Sequence, residues 1–289
     1  MELVASPVKE SAIRLELPVL QPATIKNNDS FRSRLAELRP DAIIVVGYGR
    51  IIPQWMIEAP RFGNLNLHAS LLPKYRGAAP IQWAIANGES VTGVTAMRID
   101  AGLDTGDILM QRDVAILPND TAETLAPRLA TIGAELMVKT LGALENGEVR
   151  PTPQNDSRSS LAPILTKEDG RMDFARSATE LFNRMRGFRP WPGAFTTYKA
   201  KTLQVHRVEP LLASADLGLE NLRVPGTFSG TLPGTLAVDG ARLVVGCGQG
   251  SALDLLELQL EGKRRMTAQE FINGYRPKSG DVLGEDRSR

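Results

Sequence analysis

The sequence predicts an α/β domain on a mostly parallel sheet, followed by a small, mostly β domain, and three observations carry that reading. DAIIVVG (41–47) is a continuous apolar run of the kind that a parallel sheet buries on both faces. Helical and strand patterns alternate up to about residue 147. Beyond about residue 165 the apolar residues come in short runs punctuated by Gly and Pro, the texture of a small barrel or sandwich.

Taken in order, Ser6 and Pro7 read as an N-cap and a first helical position. LPVLQP (17–22) reads as a short strand, and Asn28 to Ser30 start a helix whose Phe31, Leu35 and Leu38 share a face. DAIIVVG comes next, then the alternating strand GNLNLHA (63–69) and a helix over APIQWAIANGE (79–89). VTGVTAMRID and GDILMQRDVAI are two strands separated by the loop Ala101 to Thr105. A long amphipathic helix carries Leu125, Leu129, Ile132, Leu136 and Leu144 at spacings near 3 and 4 and stops at Gly147. Pro127 inside it predicts a late start or a kink. EVRPTPQNDSRSSLAP (148–163) is poor in apolar residues and reads as a linker. A helix from Ser177 to Met185, the rigid FRPWPGAF, and the strand-like TLQVHRV, GTLAVDG, ARLVVGC and LDLLELQLEG complete the chain. The expected domains are 1–147, a linker over 148–165, and 166–289.

Composition narrows the class of protein. No run of 18 or more apolar residues exists, and MELVASPVKE lacks the apolar core of a signal peptide, so the expectation is a cytoplasmic chain with no membrane partner. Cys247 is the single cysteine, which excludes an internal disulfide, and its apolar and glycine neighbours suit a buried side chain. The net charge of +1 hides an asymmetry: residues 1–149 carry 14 Lys+Arg against 17 Asp+Glu, residues 150–289 carry 20 against 16. The densest basic cluster, Lys263, Arg264 and Arg265, suits either a solvated face or a polyanion surface.

His68 is one of two histidines and ends an alternating strand. Asn66, two positions before it, leaves the same face, and a loop rich in Pro and Gly follows at once. Open α/β sheets present reactive groups at such strand ends. An imidazole that works on a substrate needs a carboxylate to orient it. The loop DAGLDTGD supplies Asp104, although D-T-G equally favours a turn and Asp100 or Asp107 could take its place. With Asn66 as a donor to developing oxyanion charge, the group suits acyl transfer without a nucleophilic Ser or Cys.

Asn66 through Gln82, followed by Asp100 to Asp107, resembles the 10-formyltetrahydrofolate-dependent formyltransferases. GAAPIQ, RGFRPWPG and GKRRMTAQEF resemble the branch of that family whose acceptor is methionyl-initiator tRNA. The resemblance implies a Rossmann-like, doubly wound sheet followed by an OB-like barrel that helps hold tRNA. It implies Asn66, His68 and Asp104 as catalytic residues and Ser70, Leu71, Leu72 and Pro73 as folate contacts. Gly47, Tyr48 and Gly49 are placed to line the pterin pocket, and Lys263, Arg264 and Arg265 to meet tRNA. No metal is implied, and a complete chain is expected to be a monomer. Family members begin with a strand bearing G-T-P, a helix, a second strand and a basic loop. By that comparison the sheet is N-terminally incomplete and Met1 is an internal methionine, with LPVLQP across a gap from DAIIVVG. Two other readings stand beside the first: a related formyltransferase or formylfolate hydrolase on the same core, and a catalytically silent remnant that binds tRNA.

Overall fold

A computed structural model describes residues 4–49, 51–211 and 232–285. The chain divides into two compact units, Met1–Leu65 and Asn66–Arg289.

In the first unit α1 (Pro7–Arg14) is capped by Ser6, whose hydroxyl accepts from the Lys9 N–H. Asn28 caps α2 (Asp29–Leu38) in the same way, accepting from Phe31 N at 3.0 Å. Neither helix contains a buried residue. Phe31 meets Trp55 edge to face, ring centroids 6.2 Å apart, which holds α2 against α3 (Gln54–Ile57). Asn64 Nδ2 donates to the carbonyls of Met56 and Ile57, satisfying the end of α3.

Two expectations change here. LPVLQP forms no strand: Leu17, Val19 and Leu20 are exposed, and Pro18 and Pro22 have no N–H to give a ladder. The strand within DAIIVVG is only β1 (Ile43–Val45), with Ile44 44% exposed and Val46 62% exposed, so it is not covered on both faces.

β2 (Asn64–His68) begins in the first unit and ends in the second. With β3 (Val91–Arg98) and β4 (Ile108–Ala115) it completes a four-stranded sheet of order β1-β2-β3-β4. β3 and β4 pair antiparallel, Val91 opposite Ala115 and Thr95 opposite Gln111, so the sheet is mixed where a mostly parallel one was expected. The short Ala101–Thr105 connection explains this, because a parallel return needs a crossover of a dozen or more residues.

α4 (Pro80–Ala86) precedes β3, and α5 (Ala122–Glu145) follows β4. α5 buries Leu125, Leu129, Gly133, Leu136, Met137, Thr140 and Leu144. Gly133 is required by closeness: a Cβ there would stand 2.6 Å from Leu67 Cδ2. The helix starts at a Thr121 capping box, ahead of Pro127, and not late as the proline suggested.

α6 (Ala178–Gly187) packs on α4, where Trp83 and Phe188 meet edge to face at 5.2 Å. The buried Arg186 guanidinium donates to Asp120 O at 2.8 Å. Beyond it lie β5 (Ala194–Tyr198), β6 (Lys201–Leu211), β7 (Leu236–Asp239), β8 (Arg242–Gly246), β9 (Ala252–Leu260), β10 (Met266–Thr267) and α7 (Ala268–Tyr275). Among the described residues these strands make an antiparallel sheet of order β5-β6-β9-β8-β7, with β10 on β9, and not a closed barrel. Its core gathers Leu203, Val205, Leu243, Val245, Leu253, Leu255 and Phe271. Cys247 lies in that core, and burial pushes its thiol pKa up to about 12, which suits packing and not nucleophilic chemistry.

Candidate active site

The alternation of β2 sets Asn66 and His68 on one face, and the loop after β3 brings Asp104 to them. Asn66 Nδ2 donates to Asp104 Oδ1 at 3.4 Å, and His68 Nδ1 lies 3.6 Å from Asp104 Oδ2. The backbone N–H of Gly77 donates to the same Oδ2 at 2.8 Å. On its other edge His68 Nε2 lies 2.8 Å from the Tyr75 carbonyl. A carbonyl only accepts, so Nε2 carries a proton and Nδ1 is the ring atom that faces the carboxylate. The His68 side chain is 6% exposed and that of Asp104 17%, so the carboxylate remains reachable from solvent.

The other acids of the loop have different work. Asp100 Oδ1 accepts from Gly102 N and Thr105 Oγ1, bracing the turn. Asp107 offers its carbonyl to Arg98 N. Of the three candidates Asp104 is therefore the one brought to Asn66 and His68. It sits at φ +53°, a left-handed conformation uncommon for a side-chain-bearing residue. Tyr75, also left-handed at φ +61°, aims its carbonyl at the imidazole. Its buried hydroxyl donates to Glu89 Oε1, and burial raises its pKa to about 12.

Ser70 and Leu72 are buried, whereas Leu71 and Pro73 are partly exposed. The Ser70 hydroxyl is engaged at 2.7 Å with Lys74 O, so this residue shapes the loop through its own hydrogen bonds. Two residues that the motifs did not single out hold the segment. Thr95 Oγ1 donates to Ser70 O at 2.6 Å and accepts from Leu72 N, while Gln111 Nε2 donates to Leu72 O and Thr95 Oγ1. Neither stands out in the sequence: Thr95 shares its strand with Thr92, and Gln111 is followed by Arg112 and Asp113.

Gly47, Tyr48 and Gly49 form a loop after β1 in the first unit, with φ +59° at Gly47 and +65° at Gly49. Tyr48 is exposed. The basic cluster follows β9: Arg264 pairs with Glu270 at 2.7 Å and Arg265 with Glu257, so two of its three cations are already offset by carboxylates. Among the described residues no group of three His, Cys, Asp or Glu is disposed to hold a metal ion, and no helix is long and apolar enough to cross a membrane.

Comparison with known proteins bears on this arrangement. Residues 5–141 match the formyl transferase family, and residues 164–276 match the formyl transferase C-terminal domain. A methionyl-tRNA formyltransferase of Koribacter versatilis is 58% identical over 284 residues, 98% of this chain and 86% of that protein. One of Acidobacterium capsulatum is 56% identical over 95% of this chain and 84% of its own length. The N-formyltransferase of Helicobacter canadensis, solved with folinic acid and dTDP-3-aminofucose, superposes with a TM-score of 0.61. That likeness covers 87% of this chain and 84% of the other at 20% identity, and it speaks to the fold alone.

Thr95 gives the local geometry a direct test. Thr95→Val keeps the volume but leaves Leu72 N and Ser70 O without a buried partner, so unfolding in urea should show a loss of about 1–3 kcal/mol. Thr95→Ser should lose much less, since the hydroxyl remains.

Proposed function

The chain belongs to the formyl transferase family, and we propose that it transfers the formyl group of 10-formyltetrahydrofolate to the α-amine of methionine on initiator tRNA, with Asn66, His68 and Asp104 as the working groups. The observation that carries the reading is the convergence of Asn66 Nδ2, His68 Nδ1 and the Gly77 N–H on one carboxylate, in a chain with relatives of that activity.

The folate supplies an activated formyl group on N10, so no covalent enzyme intermediate is needed. As the neutral amine adds to the formyl carbon, negative charge grows on the formyl oxygen. Asn66 Nδ2–H and the protonated His68 Nδ1–H are the donors that meet it; one such donor is worth roughly 3–4 kcal/mol. Tyr75 O keeps the other ring proton on Nε2 and so fixes which edge works. Asp104 orients both donors and relays the proton lost by the amine toward N10, whose bond to the formyl carbon then breaks. The long 3.4 and 3.6 Å separations suit a site that tightens when substrate is bound.

Leu71, Pro73 and the backbone of Ser70 and Leu72 form the folate-facing segment in this reading. Residues 1–147 do the chemistry, 148–165 link, and 166–289 hold tRNA through a surface that includes Lys263, Arg264 and Arg265. The family matches at 5–141 and 164–276 support that division. The reaction belongs to the cytoplasm, and the working form is a monomer.

Formyl transfer from 10-formyltetrahydrofolate to charged initiator tRNA is the experiment. His68→Ala and Asp104→Asn should each lower turnover by about 10²- to 10⁴-fold, with the double variant little worse than either single one. Multiplying losses would mean that the two do not act as a unit, and transfer to a sugar nucleotide in place of tRNA would assign a different acceptor. Replacing Lys263, Arg264 and Arg265 by Ala should weaken tRNA binding and flatten its salt dependence without changing folate binding. An unchanged salt slope would return the cluster to a solvated face.

A further inference from the structure

Residues 142–163 fall between the two segments matched by the family models. From Glu148 on their composition reads as a mere linker, yet this part makes a dense set of bonds to the site. Thr152 exchanges two backbone hydrogen bonds with Ile108, both 2.9 Å. Ser160 accepts from Tyr75 N through Oγ and from Arg76 N through its carbonyl. Ala162 N donates to Arg76 O at 2.7 Å, and a Cβ at Gly77 would stand 2.7 Å from Ala162 O.

Gln154 is the residue that reaches both catalytic loops. Its Nε2 donates to Asp104 O and to Gly106 O, each at 2.8 Å. Its Oε1 accepts from Arg76 Nε at 3.1 Å and Nη2 at 2.8 Å. Both amide protons and both lone pairs are thereby used. Arg76, itself buried, extends the chain to Asp156 Oδ1 at 2.8 Å.

We propose that Gln154 is a positioning residue for Asp104. Its two donated bonds grip the backbone on either side of Thr105 and so hold Asp104 in the left-handed conformation that aims its carboxylate at Gly77, Asn66 and His68. Its oxygen, through Arg76, ties that loop to the one carrying Tyr75 and Gly77. A carboxamide is needed because the same group must donate to carbonyls and accept from a guanidinium. The inference rests on the proposed role of Asp104, and the segment after the long helix becomes a strap across the site.

Gln154→Glu is the decisive variant. It keeps the shape and the acceptor for Arg76 but faces the Asp104 and Gly106 carbonyls with oxygen. Turnover should fall by about 10- to 100-fold, since a misplacement of about an ångström costs that much. KM for folate and tRNA should stay within about threefold, as lost orientation enters kcat and not uniform binding. In an Asp104→Asn background the change should add nothing further. Independently of activity, amide exchange at Gly77 should quicken by about tenfold or more as the carboxylate loses its aim, beyond the change seen at amides of the β5–β9 sheet, which report any loss of global stability. Unchanged kcat with unchanged Gly77 exchange would overturn the proposal, as would an equal loss in the Asp104→Asn background. An active Asp104→Asn enzyme would defeat the catalytic reading of Asp104, while Gly77 exchange would still decide whether Gln154 positions it. Gln154→Met should match Gln154→Glu in Gly77 exchange; full protection there would show that the donated bonds are dispensable.

Discussion

The N–H of Gly77 donates to Asp104 Oδ2 at 2.8 Å, and this bond ties the loop after β2 to the loop after β3. A charged acceptor makes such a bond roughly twice as strong as a neutral one. It also decides where the second lone-pair set of the carboxylate points, toward Asn66 Nδ2 at 3.4 Å. The rest of the site is arranged to keep this contact made. Asp104 adopts φ +53°, Gly77 φ +119°, and Tyr75 φ +61°, three positive angles within the two loops. Positive φ persists in side-chain-bearing residues when the surroundings over-determine it, and here the surroundings are the 152–163 segment.

The division of labour follows from what each element can fix. β2 fixes the spacing of Asn66 and His68, because two residues of strand return a side chain to the same face. β3 and β4 fix the Ser70–Leu72 backbone through one hydroxyl and one amide set opposite each other in register. Neither strand can hold the loops beyond its end. That task falls to side chain–backbone hydrogen bonds from residues distant in sequence, such as Ser160 on Tyr75 and Gln154 on Asp104.

This explains how much could be read from the residues alone. Period-2 alternation in GNLNLHA, the Ser6 cap, the helix starts at Asn28 and Ser177, and the apolar face of α5 were all legible because local geometry imposes a pattern. Asn66 and His68 stood out for the same reason. Asp104 could be separated from Asp100 and Asp107 only by resemblance, since all three sit in one turn and their partners are set by the fold. Gln154 left no pattern, because a strap bonds through single residues with no period. LPVLQP failed differently: its composition suits a strand, but a strand exists only with a neighbour to pair with, and composition does not name one.

The proposed chemistry turns on which edge of His68 works, so the tautomer of that ring is the most direct measurement. Long-range ¹H–¹⁵N correlation of the two imidazole nitrogens in the intact chain reads it without substrate, His206 being assigned by its own substitution. The account requires a protonated Nε2 held by Tyr75 O and an Nδ1 resonance that shifts when Asp104 becomes Asn. A neutral ring protonated on Nδ1, or an Nδ1 resonance indifferent to Asp104→Asn, would contradict it.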